Sequence, residues 1–282
     1  MKKLPSGASL DFSGPALVMA IVNCSEDSFY PPSRALREKA VERALAAQEE
    51  GAAIIDFGAE SSRPGATYID REEELERLIP VINAFRKRSS LPVSVDTRKA
   101  RVARLALEAG ADIINDISAL SDDPEMAAVC AERDAAVVLM HKKGIPLTMQ
   151  DSPRYENFTA EINTFFKNAA EMAIAAGIPP EKIILDPGIG FGKSREDCLQ
   201  IIRRLAEICG KDYPVLVGLS RKSFIGEICC RNNIPGGAEG RLSGTLAANA
   251  AAIMAGADII RVHDVKEHVD LTKVLYSLSL GS

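Results

Sequence analysis

The most regular pattern along the chain is a short segment in which glycine and alanine precede two isoleucines and a polar residue. It occurs three times, at residues 51–56, 110–115 and 256–261, and each copy follows a stretch with helical spacing of apolar residues. Glycine is preferred directly after the end of a helix, and an unbroken apolar run is typical of a strand buried on both faces of a parallel sheet. The pattern therefore predicts a helix, a tight turn and a buried parallel strand in each place.

Five further apolar runs bring the number of predicted strands to eight, at residues 16–22, 92–95, 135–140, 182–185 and 214–218. The intervening segments have helical periodicity. They predict helices at residues 34–50, 71–86, 98–109, 125–133, 160–176, 195–209, 241–255 and 266–279. Eight strands that alternate with eight helices favour a closed (β/α)8 TIM barrel over an open doubly wound sheet.

Length and composition agree with one barrel. The chain has 282 residues, of which 46% are apolar and 26% are charged, and no linker or low-complexity tract divides it. Barrels of this type commonly use about 250 residues as one domain. We therefore predict a single domain over residues 1–282, in which residues 1–15 form a short N-terminal cap over the bottom of the barrel.

Charge and cysteine content narrow the classes of partner and compartment. With 34 basic and 39 acidic residues the net charge is −5, so no overall basic field favours a nucleic acid or an anionic membrane. The six cysteines form no C-x-x-C pair and only three histidines are present, which favours free thiols over a metal site or disulfides. No apolar run reaches the roughly 20 residues that span a bilayer. We expect a cytoplasmic protein without a membrane segment.

Polar side chains stand at or just after the ends of the predicted strands. They are Asn23, Asp56, Asp96, Asn115, His141, Asp186, Lys222, Arg261 and His263. TIM barrels place their chemistry at the carboxyl ends of the strands and in the loops that follow. A single residue of this kind could be a solvated loop position or a strand-end cap, but the whole set at one mouth predicts a binding site.

Part of this set suits a ring and part suits an anion. The oxygens of Asp96, Asn115 and Asp186 fit the N–H edge of an aminopyrimidine-like ring, to which Lys222 adds a donor. The second part would hold a diphosphate and its magnesium ion, with three cationic or neutral donors and one neutral oxygen ligand for the metal. Its members are Arg63, Arg261 and His263 as donors and Asn23 as the ligand.

Several familiar motifs are incomplete. Residues 188–194 suggest a phosphate-binding loop, but the first glycine of G-x4-G-K-S falls on Pro187, and the third glycine of G-x-G-x-x-G falls on Lys193. Neither G-x-S-x-G nor H-E-x-x-H occurs, so a covalent nucleophile and a zinc mechanism are not expected. His141 precedes two lysines and a glycine, so it either belongs to the set of strand-end residues or begins a solvated basic loop, and we expect His268 to lie on the surface of the last helix.

Eight motifs in this order carry a resemblance to a known family. They are N-C-S-E-D-S-F at residues 23–29, D-F-G-A-E-S-S-R-P-G-A at 56–66, S-V-D-T at 94–97, I-N-D at 114–116, M-H at 140–141, L-D-P-G-I-G-F-G-K at 185–193, S-R-K-S-F at 220–224 and R-V-H-D at 261–264. Over residues 18–274 the chain resembles the dihydropteroate synthase family of pterin-binding barrels.

The resemblance implies a role for each matched position. The residues implied to hold the pterin are Asp96, Asn115, Asp186, Lys222, Met140 and Phe191. Those implied to engage the diphosphate are Asn23, Arg63, Arg261 and His263, with Asn23 as the metal ligand. Those implied to shape the 4-aminobenzoate site are Phe29, Ser62, Pro64, Lys222 and Ser223. The catalytic set would be Lys222, Arg63, Arg261, His263 and Asp96.

The resemblance also implies a reaction. A pterin methyl diphosphate and 4-aminobenzoate would condense to 7,8-dihydropteroate with loss of pyrophosphate, with Mg²⁺ as cofactor and a homodimer as the assembly. Two alternatives stay open. One is a methyltetrahydrofolate-binding methyltransferase, which has a similar barrel and pterin pocket but no diphosphate to hold. The other is a pterin-binding barrel without catalytic activity.

Overall fold

The computed structural model describes residues 2–24, 34–60, 69–144, 153–230 and 237–279. Over these residues the strands of the main sheet are β1 (Leu17–Asn23), β2 (Ile54–Gly58), β3 (Val93–Asp96), β4 (Ile113–Asp116), β5 (Ala136–Met140), β6 (Ile183–Asp186), β7 (Leu216–Val217) and β8 (Ile259–Val262). All neighbours are parallel, and β8 pairs with both β7 and β1. A parallel bridge between Leu185 and Val215 joins the two ends of the sheet. The predicted (β/α)8 barrel is confirmed.

The helices of the described residues surround this barrel. They are α1 (Arg34–Glu49), α2 (Arg71–Arg86), α3 (Ala100–Glu108), α4 (Met126–Glu132), α5 (Phe158–Ala175), α6 (Arg195–Arg203), α7 (Leu205–Cys209), α8 (Ser223–Ile228), α9 (Leu242–Met254) and α10 (Val265–Ser279). The single helix predicted at residues 195–209 is wrong, because the backbone at Arg204 (φ −125°, ψ 31°) leaves the helical region and separates α6 from α7.

The three glycine turns have the predicted geometry. Gly51, Gly110 and Gly256 have φ between +100° and +107°, where an L side chain would be strained. The N–H of the next residue donates to a carbonyl five residues back, as in Ala52 to Ala47 at 2.9 Å, which closes the end of the helix. The chain then enters the next strand within three residues. These turns therefore convert a helix into a buried strand over a very short distance.

The lower part of the barrel interior is apolar. One residue from most strands enters a closed cluster that also contains Leu4 and Leu10 of the N-terminal segment. The barrel members of this cluster are Met19, Ile54, Ile113, Ala136, Val138, Ile184, Leu216 and Ile259. Residues 2–3 and 9–10 pair as a short antiparallel hairpin, and the Ser6 N–H donates to Asp112 Oδ1 at 2.9 Å. Leu4 and Leu10 of this hairpin therefore pack against the bottom of the barrel, where the sequence predicts a cap.

Side chains two residues further along the same strands point into the upper part of the barrel. Alternate residues of a strand face the same side of the sheet. The isoleucines at positions 54, 113, 184 and 259 therefore share a face with Asp56, Asn115, Asp186 and Arg261. The same spacing that fills the bottom with apolar side chains thus places polar ones at the mouth.

None of the helices among the described residues is both long enough and apolar enough to cross a bilayer.

Candidate active site

One arginine lies at the centre of the polar side chains in the barrel mouth. The Arg261 guanidinium donates from Nε to Asp56 Oδ2 at 2.7 Å and from Nη2 to Asp96 Oδ2 at 3.0 Å. Its Nη2 also lies 2.6 Å from Asp56 Oδ2, and Asn115 Nδ2 is 3.5 Å from the same oxygen. Strands β2, β3, β4 and β8 each contribute one side chain to this ion-paired cluster.

One carboxylate of this cluster, that of Asp96, is strongly perturbed. Burial raises the pKa of Asp96 to about 7; Arg261 acts to lower it, while Asp56 acts to raise it further. Asp56 Oδ1 and Ser94 Oγ, on residues paired across β2 and β3, are buried and have no hydrogen-bond partner among the described residues. Buried polar atoms are almost always hydrogen-bonded in native proteins. The floor of the mouth therefore suits a molecule that presents N–H donors.

Asp186 and Lys222 lie across the barrel from this cluster. Asp186 ends β6, and its Oδ1 accepts a hydrogen bond from Gly188 N at 2.7 Å. Lys222 precedes α8; its Nζ donates to the Ile189 carbonyl and lies 4.5 Å from the centre of the Phe191 ring. Burial lowers the pKa of Lys222 to about 8, although Asp186 acts to raise it, and burial raises the pKa of Asp186.

The turn that carries Lys222 is tied to the end of β8. Ser220 Oγ lies 2.9 Å from His263 Nδ1 and accepts from the His263 N–H at 3.2 Å. Arg221 has a left-handed φ of +58°, which costs energy for a residue other than glycine. Its guanidinium donates to Asp264 from Nε at 3.0 Å and from Nη2 at 2.5 Å. These contacts keep Lys222 and His263 in one rigid corner of the mouth.

Comparison with known proteins agrees with this arrangement. The family model described as pterin binding enzyme matches residues 19–263. The dihydropteroate synthase of Escherichia coli strain K12 is 45% identical over 277 residues, which cover 98% of this chain and 95% of that one. The chain belongs to the dihydropteroate synthase family. Dihydropteroate synthases are transferases, so the chain is an enzyme of that class.

Two solved structures of dihydropteroate synthases have the same fold as this chain. The Yersinia pestis enzyme in a sulfonamide drug complex has a TM-score of 0.89 at 39% identity and covers 98% of both chains. The Xanthomonas albilineans enzyme with 4-aminobenzoic acid has a TM-score of 0.89 at 40% identity and covers 99% of both chains. The likeness therefore extends over the barrel and the cap together.

The residues implied for the pterin in a dihydropteroate synthase come together at the mouth. Met140 ends β5 and is buried, and Phe191 is half-buried beside Lys222. The remaining members are those whose contacts are given above, Asp96, Asn115, Asp186 and Lys222. These six residues come from five different βα units of the chain, and the fold gathers them at one place.

The residues implied for diphosphate and aminobenzoate are described only in part. Asn23 ends β1, is exposed and pairs in register with Gly58. Ser223 is exposed at the first position of α8. Arg261 was assigned to the diphosphate alone, yet it also contacts Asp96 of the ring-binding set. Four assigned residues lie outside the described residues, namely Phe29, Ser62, Arg63 and Pro64.

A buried ion-pair cluster that the sequence analysis missed lies at the second βα connection. Glu60 and Ile69, which flank residues 61–68, are joined by a hydrogen bond from Ile69 N to Glu60 Oε2 at 3.1 Å. Lys99 Nζ donates to the same oxygen at 2.8 Å, to the Ile69 carbonyl at 2.9 Å, and to Glu74. The only signal for it was the place of Glu60 in the motif at residues 56–66. The cluster fixes where this connection leaves and rejoins the barrel.

The solvated-loop alternative for His141 and the surface position expected for His268 are both wrong. His141 is 6% exposed; burial lowers the pKa of its ring to about 3, and Lys193 Nζ lies 2.9 Å from its Nδ1. His268 is fully buried, with Asn249 3.0 Å from Nε2 and the Asp264 carbonyl 2.5 Å from Nδ1. Both side chains lie inside the fold because tertiary packing, rather than their charged sequence neighbours, decides their direction.

A methyl group at Gly188 is expected to disrupt the mouth. Gly188 has φ +62°, and an added Cβ would lie 2.0 Å from the His141 carbonyl oxygen. The conformation alone costs about 1–3 kcal/mol for a non-glycine residue, and the overlap with backbone adds to it. Gly188→Ala should therefore lower the free energy of unfolding, measured in urea, by more than about 3 kcal/mol, because the steric overlap adds to the cost of the strained backbone. It should also weaken the binding of a pterin.

Gly7→Ala is the control for this variant. Gly7 lies in the turn of the N-terminal hairpin and has φ +86°, but an added Cβ would have nothing within 4 Å. It should show the cost of the backbone conformation without the overlap and without an effect on the mouth. Equal losses of stability in the two variants, with unchanged pterin binding in both, would contradict the steric argument.

Proposed function

We propose that this chain condenses 6-hydroxymethyl-7,8-dihydropterin diphosphate with 4-aminobenzoate to give 7,8-dihydropteroate and pyrophosphate, with Mg²⁺ on the diphosphate. The observation that carries the proposal is the mouth itself. Acceptors for a ring, a donor lysine and a central arginine converge there from separate strands. The Xanthomonas albilineans structure with 4-aminobenzoic acid supports the choice of the second substrate.

The ring-binding half would hold the pterin by complementary hydrogen bonds. The buried oxygens of Asn115 and Asp186 and the partly exposed carboxylate of Asp96 accept from the N–H groups of the aminopyrimidine edge, and Lys222 donates to its carbonyl or ring nitrogen. The carboxylates also face the carbon skeleton on which positive charge grows as the diphosphate leaves. They stabilise that charge in a site largely shielded from water, where such interactions are strongest.

Arg261 would connect the two halves of the site. The bond between the pterin methylene carbon and the diphosphate oxygen breaks, the arylamine nitrogen bonds to that carbon and gives up a proton, and pyrophosphate leaves. Arg261 holds the Asp56 and Asp96 carboxylates in place. Together with His263 and Arg63, it also stabilises the negative charge that accumulates on the oxygens of the departing diphosphate. No covalent bond to the protein forms.

The residues present fit a magnesium ion that arrives with the substrate. Among the described residues, no cluster of three or more histidine, cysteine, aspartate or glutamate side chains could hold a metal ion. Asn23 offers one neutral oxygen at the exposed rim. Mg²⁺ in such sites usually takes one or two protein ligands, several waters and the substrate's phosphate oxygens. When bound, Mg²⁺ supplies positive charge against the leaving diphosphate.

Pyrophosphate release tests the proposed function. Release from the pterin diphosphate should require both 4-aminobenzoate and Mg²⁺ and should match the amount of 7,8-dihydropteroate formed. Release without consumption of the arylamine would contradict the condensation. A chain that binds a pterin but releases no pyrophosphate under any condition would be the inactive barrel.

The methyltransferase alternative has no support from the full-length relatives, which are synthases.

The assembly that we propose is a homodimer formed through α9 and α10. Three large apolar side chains at the ends of these helices are strongly exposed: Met254 at 73%, Val274 at 57% and Leu278 at 68%. Met254 and Leu278 border a groove that also includes Tyr276 and Ile253. A second copy of the chain is the occupant that a symmetric assembly would provide, because the same patch on both subunits is self-complementary.

Glutamate in this patch should produce monomers. We expect Met254→Glu with Leu278→Glu to halve the mass measured by sedimentation while the helical circular dichroism is retained. Met172→Glu is the matched control, because Met172 is 56% exposed on α5, away from the patch. An unchanged mass in the double variant would contradict this interface.

We also propose the cytoplasm as the compartment, since all six cysteines are free thiols and Cys229 and Cys230 are exposed.

A further inference from the structure

Two loops at the mouth are in unusually close backbone contact. One follows β5 and begins at His141, and the other follows β6 and contains Gly188 and Gly192. An added Cβ on Gly188 would lie 2.0 Å from the His141 carbonyl oxygen, and one on Gly192 would lie 2.1 Å from the Lys143 carbonyl oxygen. The Tyr155 hydroxyl donates to the Gly192 carbonyl at 2.8 Å. The loops therefore meet along several residues and not at a single contact.

A buried lysine lies between these loops. Lys193 is 2% exposed, and its Nζ has three acceptors: His141 Nδ1 at 2.9 Å, the His141 carbonyl at 3.1 Å and the Phe191 carbonyl at 3.1 Å. An ammonium group has three N–H donors, so the three acceptors satisfy the charged form completely. A neutral amine has only two donors and would leave one acceptor unused.

The two partners of Lys193 are His141, which follows Met140, and Phe191, and the family resemblance places both Met140 and Phe191 along the pterin. His141 directly follows Met140, and its N–H is fixed by a hydrogen bond to the Asp186 carbonyl at 2.9 Å. Phe191 is bonded through its own carbonyl. Lys193 thus connects the backbone beside Met140 with the backbone of Phe191, although it belongs to neither the ring acceptors nor the donors described above.

We propose that Lys193 is a positioning residue for pterin binding, which sets the separation of Met140 and Phe191 by fastening the β5 loop to the β6 loop. The proposal rests on the proposed function for the identity of the ligand. Lys193 acts through the two loops and does not touch the ring. His141 is its partner: packed edge-on against Phe165, with ring centres 4.8 Å apart, it holds its Nδ1 acceptor toward the lysine.

Removing the three donors tests the proposal. Lys193→Met keeps the length of the stem, and we expect the Kd for 6-hydroxymethylpterin, measured by calorimetry, to rise about tenfold, as for loss of hydrogen bonds to a charged group. At saturating pterin diphosphate, kcat and the KM for 4-aminobenzoate should stay within about twofold of wild type, because the chemistry does not involve Lys193.

A lysine at the other end of the same strand is the matched control. Lys182 lies just before β6, is 7% exposed and is bonded to Asp134 at 2.6 Å, at the bottom of the barrel. Lys182→Met should lower stability as Lys193→Met does, yet leave the pterin Kd unchanged. If both variants shift the Kd equally, or neither does, Lys193 has only a structural role and the proposal is overturned.

A pair of His141 variants repeats the test without changing the lysine. His141→Asn keeps an acceptor near the position of Nδ1 and should bind the pterin nearly as wild type, whereas His141→Leu removes the acceptor and should weaken binding. If Lys193→Met does not fold, this pair decides, and equal Kd values for the two variants overturn the proposal. Pterin binding to the wild-type protein is measured first. If the wild type does not bind the pterin, the proposed function is contradicted. If the wild type binds it and the variants have the same Kd, only the role of Lys193 is contradicted.

Discussion

Replacing Arg261 by methionine is expected to lower the free energy of unfolding by about 3–5 kcal/mol, the usual cost of leaving buried charges without their partner. Asp56 is completely buried and Asp96 nearly so, and both carboxylates are ion-paired with the one guanidinium. Methionine has a similar volume, so the loss measured by urea unfolding reflects charge more than a cavity.

The pH dependence of this loss distinguishes charge from packing. Without Arg261, the native pKa of Asp96 should rise further above its unfolded value, because the cation that acts to lower it is lost. A carboxyl with a raised native pKa costs stability above its unfolded pKa, and the cost disappears as the pH falls and the group becomes protonated. The deficit of Arg261→Met relative to wild type should therefore be largest near pH 8 and shrink toward pH 5.

Two companion variants complete this experiment. Arg203→Met removes an arginine from an exposed ion pair with Glu196, in which the side chains are 63% and 71% exposed, and it should cost less than about 1 kcal/mol. Asp56→Asn in the Arg261→Met background removes one unpaired charge and should restore part of the stability. A deficit that is independent of pH and not relieved by Asp56→Asn would show that Arg261 stabilises the barrel by packing alone.

The fold was predictable because its determinants are local in sequence. Each Gly-Ala-x-Ile-Ile segment specifies a helix end, a left-handed glycine and a strand within six residues, and all three copies behave alike. The alternation of a strand places an inward isoleucine two positions before an inward polar residue, as in Ile54 and Asp56. The strands, and the polar residues that end them at the mouth of the barrel, could therefore be predicted before any tertiary contact was known.

The pairing of side chains within the mouth was not predictable in the same way. Arg261 and Asp56 are 205 residues apart, and nothing in either segment indicates that they share a salt bridge. Asp56 was an ambiguous strand-end residue in the sequence, yet it is the main partner of the central arginine. Lys193 belonged to an incomplete phosphate-binding motif and to the family motif at residues 185–193, but it received no role, because its three acceptors come from two loops that the sequence does not bring together.

For His268, whose position was predicted wrongly, the sequence did contain a pattern that indicates burial. The buried residues of α10 are Val265, His268, Val269 and Thr272, which follow the spacing of one helix face. This periodicity places His268 inside, although its charged neighbours suggested the surface. For His141 no such pattern exists, since the two lysines that follow it are typical of a solvated loop.

Replacing Lys222 by alanine is expected to lower kcat/KM about 10–150-fold, which corresponds to the loss of about 1.5–3 kcal/mol from a hydrogen bond to a charged group. Lys222 Nζ lies between the Phe191 ring and the Ile189 carbonyl and interacts with Asp186. Because it is shared by the ring and aminobenzoate sites, its loss should act on both substrates. Lys266→Ala, at an exposed position of α10, is the control and should leave kcat/KM unchanged.

The pH profile of kcat/KM assigns the effect to Lys222 itself. Wild type should lose activity below about pH 7, as Asp96 is protonated and no longer accepts from the ring, and above about pH 8, as Lys222 loses its charge. The two limbs report the coupled site, so they are apparent values of the free enzyme. In Lys222→Ala the residual activity should keep the acidic limb and lose the basic one, and in Lys222→Arg the basic limb should move beyond pH 9, roughly as expected for a guanidinium that stays protonated. A basic limb that is unchanged in Lys222→Ala would assign that titration to another group and remove the lysine from its proposed role.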